Sequence, residues 1–377
     1  MFKKGLKDVV AVQTNIASVK GDIGELRYRG VLIDELIPSH SFEEVAYFIW
    51  YGMLPDESEL KHLEIKLMNG RQLPLHVQKI LDALPAEVPI MDAVRTAISA
   101  YAHDGFTNEP IEEQAIILTA VIPVIVARHY RKQQGLPPIN PDPNLSHIAN
   151  YLWMLNGKLP NHLQAEALET YLKLTMEHGL NAATFSARVT ISTESDLTAA
   201  ITSAIGTMKG PLHGGAPSGV IELFEKIGKP ENILTVIEEK LQNGEKIMGF
   251  GHRIYKTEDP RSILLREKCT STFGKDEWLD LATVAEKEII DLLAQHKPDR
   301  KLYTNVEYYA AAIMRSIEMP PELFTPTFSV ARIIGWTAHA IEQLQDNSIF
   351  RPQSEYIGYE KSERRMHSTD KHWSTLK

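Results

Sequence analysis

From Ser41 almost to the C-terminus, apolar residues recur at helical spacing, and stretches that alternate apolar with polar are scarce. A chain patterned this way buries its apolar stripes by packing helix on helix, which points to an all-α fold. The segment SFEEVAYFIWYG carries a full set of signals: Ser41 and Glu44 are spaced for a capping box, Val45, Phe48 and Ile49 make one face, and Gly52 can supply a left-handed stop. Later starts are marked by Ser195 or Asp196 as a cap and by Pro217 and Pro260 in first turns. The same pattern predicts helices at 60–68, 92–102, 165–177, 231–242, 277–296 and 327–346. A short hairpin within the first 40 residues is the one place where strands are expected. The Pro-rich GLPPINPDPN at 135–144 cannot continue a helix and reads as an exposed loop. The absence of a sequence repeat counts against a solenoid.

With 377 residues and 43% hydrophobic content, the chain can bury a large core in one large domain or two of unequal size. Its net charge of -9 argues against a broad nucleic-acid surface, so any anion site must be local. A single cysteine, Cys269, leaves no intrachain disulfide or thiolate metal cluster and favours the cytoplasm. The N-terminal MFKKGLKDVVAV has too brief an apolar stretch for a secretion signal. The longest apolar run, AIILTAVIPVIVA at 115–127, falls short of a membrane span, carries Thr119 and Pro123, and reads as a buried helix.

Chemistry gathers in four places. In KGPLHGGAPSGV, His213 precedes two glycines and a helix expected to start near Pro217. A helix N-terminus disfavours positive charge, and a neutral imidazole can donate to a carbonyl that is becoming an enolate. The plainer alternative is a turn histidine beside glycines needed for close packing. In GEKIMGFGHRIYKTEDPRS, Gly249, Gly251, His252, Arg253, Lys256 and Arg261 cluster, where glycines admit a ligand to the backbone and the cations meet anionic oxygens. The spacing is neither a P-loop nor a dinucleotide fingerprint, and a solvated basic loop is the competing reading. In MEHGLNAATFSARVTIS, His178 and Asn181 either hold a polar ligand or satisfy a helix end. In TNVEYYAAAIMR, Glu307 is the only acidic group of a small-residue, apolar helical pattern: either a helix-start acid after Asn305 or a carboxylate held dry to take a proton. Metal binding fits poorly, because none of these histidines forms an HExxH or comparable pair.

The ordered set EHGLNAATFSAR, GPLHGGAPS, MGFGHRIYKTEDPR, NVEYYAAAIM and FRP resembles citrate synthase in its shorter bacterial and archaeal form, from RYRG at 27–30 through Arg351. The resemblance implies an all-α, two-domain fold with a large domain of 1–215 and 322–377 and a smaller, mobile domain of 216–321. It implies a homodimer with shared active sites that condenses acetyl-CoA with oxaloacetate and water to citrate and CoA. No metal and no permanently bound cofactor are expected, acetyl-CoA being a co-substrate. By motif position, His213 resembles the residue that stabilises the enol of acetyl-CoA, His252 the one that activates the oxaloacetate carbonyl, and His178 a substrate ligand, with Asn181 beside it. Arg261 and Arg332 resemble the arginines that clamp oxaloacetate carboxylates, and Arg351 one that reaches into the partner subunit's site. Gly249, Gly251 and Lys256 correspond to the CoA-binding segment. The family position of the base is usually aspartate, and here it is Glu307. The extra methylene adds roughly 1 Å of reach, a displacement that can cost about 100-fold where reacting geometry is tight. Use of propionyl-CoA, giving 2-methylcitrate, is the nearest alternative, since one methylene is worth only about 1–3 kcal/mol. A non-catalytic helical binding protein is the alternative of a different class.

Overall fold

The computed structural model describes residues 2–214, 218–274 and 276–358. Among them are seventeen α-helices and one small antiparallel sheet, the all-α architecture that the periodicity predicts. Residues Thr14–Ile349 form one compact unit, and the described parts of the chain ends, 2–13 and 350–358, group as a second.

Local signals explain most helix starts. The Phe42–Tyr51 helix has its capping box complete, with Ser41 Oγ accepting from Glu44 N–H and Glu44 accepting from Ser41 N–H, and it stops at Gly52 in the left-handed region. Asp196 caps Leu197–Met208 through Ala199 N–H, and Asp259 caps Pro260–Phe273. Pro217 lies outside the described residues; the helix beyond it runs Ser218–Ile227. The helix expected over 92–102 is found at Ile90–Ser99, and the Ala100 carbonyl beyond its end is taken by His76 Nε2 at 3.0 Å. Helices Leu75–Ala83, His147–Asn156 and Ala182–Ile191 were not foreseen.

Two long helices organise the core. Ile111–Gln133 contains the apolar run, with Thr119 Oγ1 donating to Ala115 O, and no described helix is long and apolar enough to cross a membrane. Phe324–Gln345 is buried along nearly its whole length, yet it carries Arg332 and His339 inside the core. The sheet orders β1 (Ala17–Lys20), β2 (Glu25–Tyr28) and β3 (Val31–Leu32), with Ala17 opposite Tyr28 and Lys20 opposite Glu25. Its β1–β2 hairpin is the one expected from the sequence.

Candidate active site

The site begins with a helix N-terminus. Asn181 caps Ala182–Ile191: its Oδ1 accepts from the N–H groups of Ala183 and Thr184, each at 3.1 Å, and its Nδ2 donates to Gly179 O at 3.4 Å. The helix-end alternative for Asn181 is therefore realised, and its oxygen is occupied by the backbone. The same first turn receives His213, whose Nε2 accepts from Ala183 N–H at 3.2 Å. Burial, then the charge of Arg332, lowers the His213 pKa, so the ring is neutral near pH 7. With Nε2 accepting, the ring proton sits on Nδ1. The described helix N-terminus that meets His213 is that of Ala182–Ile191; Pro217, where the following helix was expected to start, lies outside the described residues.

The glycine-rich segment is fastened to the strand-like stretch before Glu307. Gly251 N–H donates to Tyr303 O at 2.8 Å, Asn305 N–H to Gly249 O at 2.9 Å, and Asn305 Nδ2 to Gly251 O at 3.0 Å. Gly249 and Gly251 have φ of 84° and 82°. A Cβ on Gly249 would lie 2.9 Å from the Tyr308 ring, so these glycines have a packing reason that the sequence does not reveal.

His252 Nδ1 accepts from the N–H groups of Ile254 at 3.0 Å and Tyr255 at 3.1 Å, which leaves the proton of a neutral ring on Nε2. Burial and Arg261 hold its pKa down to about 4, so the ring is neutral. Arg261 Nη2 lies 3.4 Å from that Nε2. Both atoms are donors, so no hydrogen bond joins them, and an acceptor oxygen beside the pair would satisfy both. Arg261 is itself fixed by Asp259, with Nε donating to Oδ1 at 3.0 Å and Nη2 to Oδ2 at 2.7 Å. Burial works against the Arg261 charge, and Asp259 more than offsets it, raising its pKa. Asp259 Oδ2 also accepts from Val306 N–H at 3.2 Å, so one buried carboxylate ties Arg261 to the start of the Glu307 helix.

Glu307 lies in the first turn of Val306–Ser316, its N–H donating to the capping Asn305 Oδ1 at 3.0 Å. The helix-start reading of Glu307 is therefore realised. Burial raises its carboxyl pKa to about 7, against a smaller lowering by Arg261.

His178 occupies the middle of the cluster. Its ring lies 5.4 Å from the His252 ring, edge on, and its Nε2 is 3.1 Å from Tyr255 Oη. Burial first, then Arg261, His252 and Arg332, push its pKa well below the ordinary value. Arg332 donates through Nε to Thr175 O at 2.7 Å, lies 4.7 Å over Phe328, and has its pKa lowered by burial to about 10, with Glu177 opposing. Behind it runs a buried line of polar groups. Glu177 Oε1 accepts from His339 Nε2 at 3.2 Å, His339 Nδ1 accepts from Arg188 Nε at 2.9 Å, and Arg188 Nη2 is paired with Glu342. The other Glu177 oxygen rests against Gly335, where a Cβ would come within 2.3 Å of it.

Histidines 178 and 252 are thus brought together with Arg261, Glu307 feels the charge of Arg261, and His178 and His213 feel that of Arg332. Lys256 pairs with Asp22 at 2.5 Å. Arg351 is exposed in the terminal unit. Among the described residues no group of three or more His, Cys, Asp or Glu is arranged to hold a metal. Sequence reasoning missed Asp259, Tyr255, Glu177 and His339. An aspartate directly before Pro260 is a readable cap signal, and a glutamate beside His178 or a histidine seven residues after Arg332 in an apolar helix could have been flagged.

The citrate synthase C-terminal domain family matches residues 5–353. A citrate synthase of Synechocystis sp. is 39% identical, covering 95% of this chain and 91% of that protein. A 2-methylcitrate synthase of Mycobacterium tuberculosis is 37% identical over the same shares of both chains, 95% and 91%. The solved ternary complex of carboxymethyl coenzyme A and oxaloacetate with the citrate synthase of Thermoplasma acidophilum superposes with a TM-score of 0.87 at 29% identity, covering 96% of this chain and 97% of that one.

Proposed function

The chain belongs to the citrate synthase family, and from that premise we propose how its residues condense acetyl-CoA with oxaloacetate and water to give citrate and CoA. The observation that carries the assignment is the pair of converging donors, His252 Nε2–H and Arg261 Nη2, 3.4 Å apart. Oxaloacetate presents to them its ketone and a neighbouring carboxylate. His178 and Arg332 line the rest of the anion's site, and Arg351 of the partner subunit completes it in a homodimer. Asn181 serves the site through the helix turn that orients His213. Gly249, Gly251 and Lys256 receive acetyl-CoA.

Glu307 removes a proton from the acetyl methyl group while His213 Nδ1–H donates to the thioester oxygen as it takes up negative charge. The methyl carbon then bonds to the ketone carbon, and the ketone oxygen takes its proton from His252. Water cleaves the thioester, releasing CoA. No permanently held cofactor enters these steps. Residues 216–321 act as a smaller domain that closes over oxaloacetate, because His213 lies on one side of that boundary and His252 and Glu307 on the other. We place the enzyme in the cytoplasm, in keeping with its single cysteine.

Steady-state release of free CoA, with oxaloacetate and either acetyl-CoA or propionyl-CoA, tests the reading. Faster turnover per unit KM with acetyl-CoA is expected. A preference for propionyl-CoA would assign 2-methylcitrate synthesis, and release with neither would leave a binding protein.

A further inference from the structure

The β1–β2 hairpin touches two of the three segments that supply the site histidines, those of His178 and His252. At its base, Tyr28 Oη reaches the carbonyl oxygens of Lys173, Leu174 and Glu177 at 3.2, 3.1 and 3.0 Å, and Val19 lies against Gly179. These contacts fix the backbone on either side of His178. At its tip, Gly21 O accepts from Lys256 N–H at 2.9 Å, and the Lys256 ammonium meets Asp22 at 2.5 Å. The tip is pressed so closely that side chains are excluded. A Cβ on Gly21 would lie 2.2 Å from Ile254 O, and one on Gly24 would lie 2.6 Å from Thr257 Oγ1. The stretch from Ile254 to Glu258 is therefore held between the hairpin tip outside and the site inside, where the N–H groups of Ile254 and Tyr255 orient His252 and the Tyr255 hydroxyl meets His178.

We infer that this hairpin is a brace that sets His178 and His252 at their working separation, with Gly21 as its positioning residue. The inference rests on the site reading above, because the two histidines matter only if they share oxaloacetate. Under the proposed boundary the hairpin belongs to the larger domain and Ile254–Glu258 to the smaller. Docking of the tip is then completed on closure and lost on opening. Asp22 holds Lys256 aside until an anionic oxygen of the acyl-CoA competes for it.

Gly21 lies outside the left-handed region, so an alanine there strains only the docking and not the turn. Gly21→Ala should lower kcat by about 10-fold or more, given the sensitivity of reacting geometry to displacements of about 1 Å. Full turnover in Gly21→Ala would overturn the brace. In the wild-type enzyme, hydrogen exchange at the Lys256 amide should slow about 10-fold on saturation with oxaloacetate, a change that a merely structural turn would not show. An unchanged exchange rate would also overturn it, and this arm stands even if the alanine variant folds poorly. Full turnover by Gly21→Ala alongside an inactive Glu307→Gln enzyme would reject the brace and leave the site reading intact.

Discussion

Glu307 is under two opposing demands. Its place in the first helical turn favours the charged form, whereas burial disfavours it, and burial prevails, lifting the pKa from the ordinary 4.5 to about 7. The sign of the consequence for stability is fixed by linkage. Between those two values the folded state holds a proton that the unfolded state has released, so stability is intact below about pH 4.5 and declines as pH rises through 7. The loss is on the order of 3 kcal/mol at most, at about 1.36 kcal/mol per pH unit. Glu307→Gln should therefore raise the melting temperature at pH 8 and have little effect at pH 5. A helix-start acid with no other role would give the opposite sign, a cost of a few tenths to about 1 kcal/mol on losing the carboxylate. The sequence marks Glu307 as unusual because it is the lone acid in its apolar surroundings. How deeply it is buried depends on what the neighbouring helices lay over it, which spacing along one helix does not encode. Asp259 shows the same limit: the Asp-Pro cap is local and readable, but its bonds to Arg261 and to Val306, 47 residues on, exist only after folding.

Helices with strong caps were legible as elements. Glu277–His296 was expected over 277–296, and the Ser41–Gly52 signals bound the helix they predict. Leu75–Ala83 starts after Pro74 with no side-chain cap, whereas His147–Asn156 and Ala182–Ile191 have caps in Ser146 and Asn181 that the sequence offers but that were not read as helix starts. Connections between elements were less legible than the elements themselves. In sequence the glycines of MGFG suggest room for a ligand; in the fold they also let this segment pair with residues 303–305 and press against Tyr308. Gly249→Ala combines a φ of 84° with a Cβ 2.9 Å from that ring. It should destabilise the protein by about 1–3 kcal/mol, measured by chemical denaturation. A stability equal to wild type would mean that the segment is not held as described.

For the molecule as a whole, an acidic chain can bind a dianion because its cations are gathered and held in place, Arg261 by its ion pair with Asp259 and Arg332 by the Thr175 carbonyl, with the charge of Glu177 favouring its cationic form. Glu177 and Arg188 open and close the first of the five motifs, but their connection through His339 emerges only when the Phe324–Gln345 helix crosses Ala182–Ile191. Sharing of sites between subunits is testable by mixing Arg351→Ala with His252→Ala chains. Heterodimers should regain activity, since one of their two sites keeps both residues, and no recovery in verified heterodimers would refute sharing. The direct test of the chemistry is kcat of Glu307→Gln at saturating oxaloacetate and acetyl-CoA. Glutamine keeps the shape of Glu307 but cannot accept the methyl proton, so kcat should fall by on the order of 100-fold or more while oxaloacetate affinity stays near that of wild type. Full turnover in that variant would contradict the assignment of Glu307 as the base.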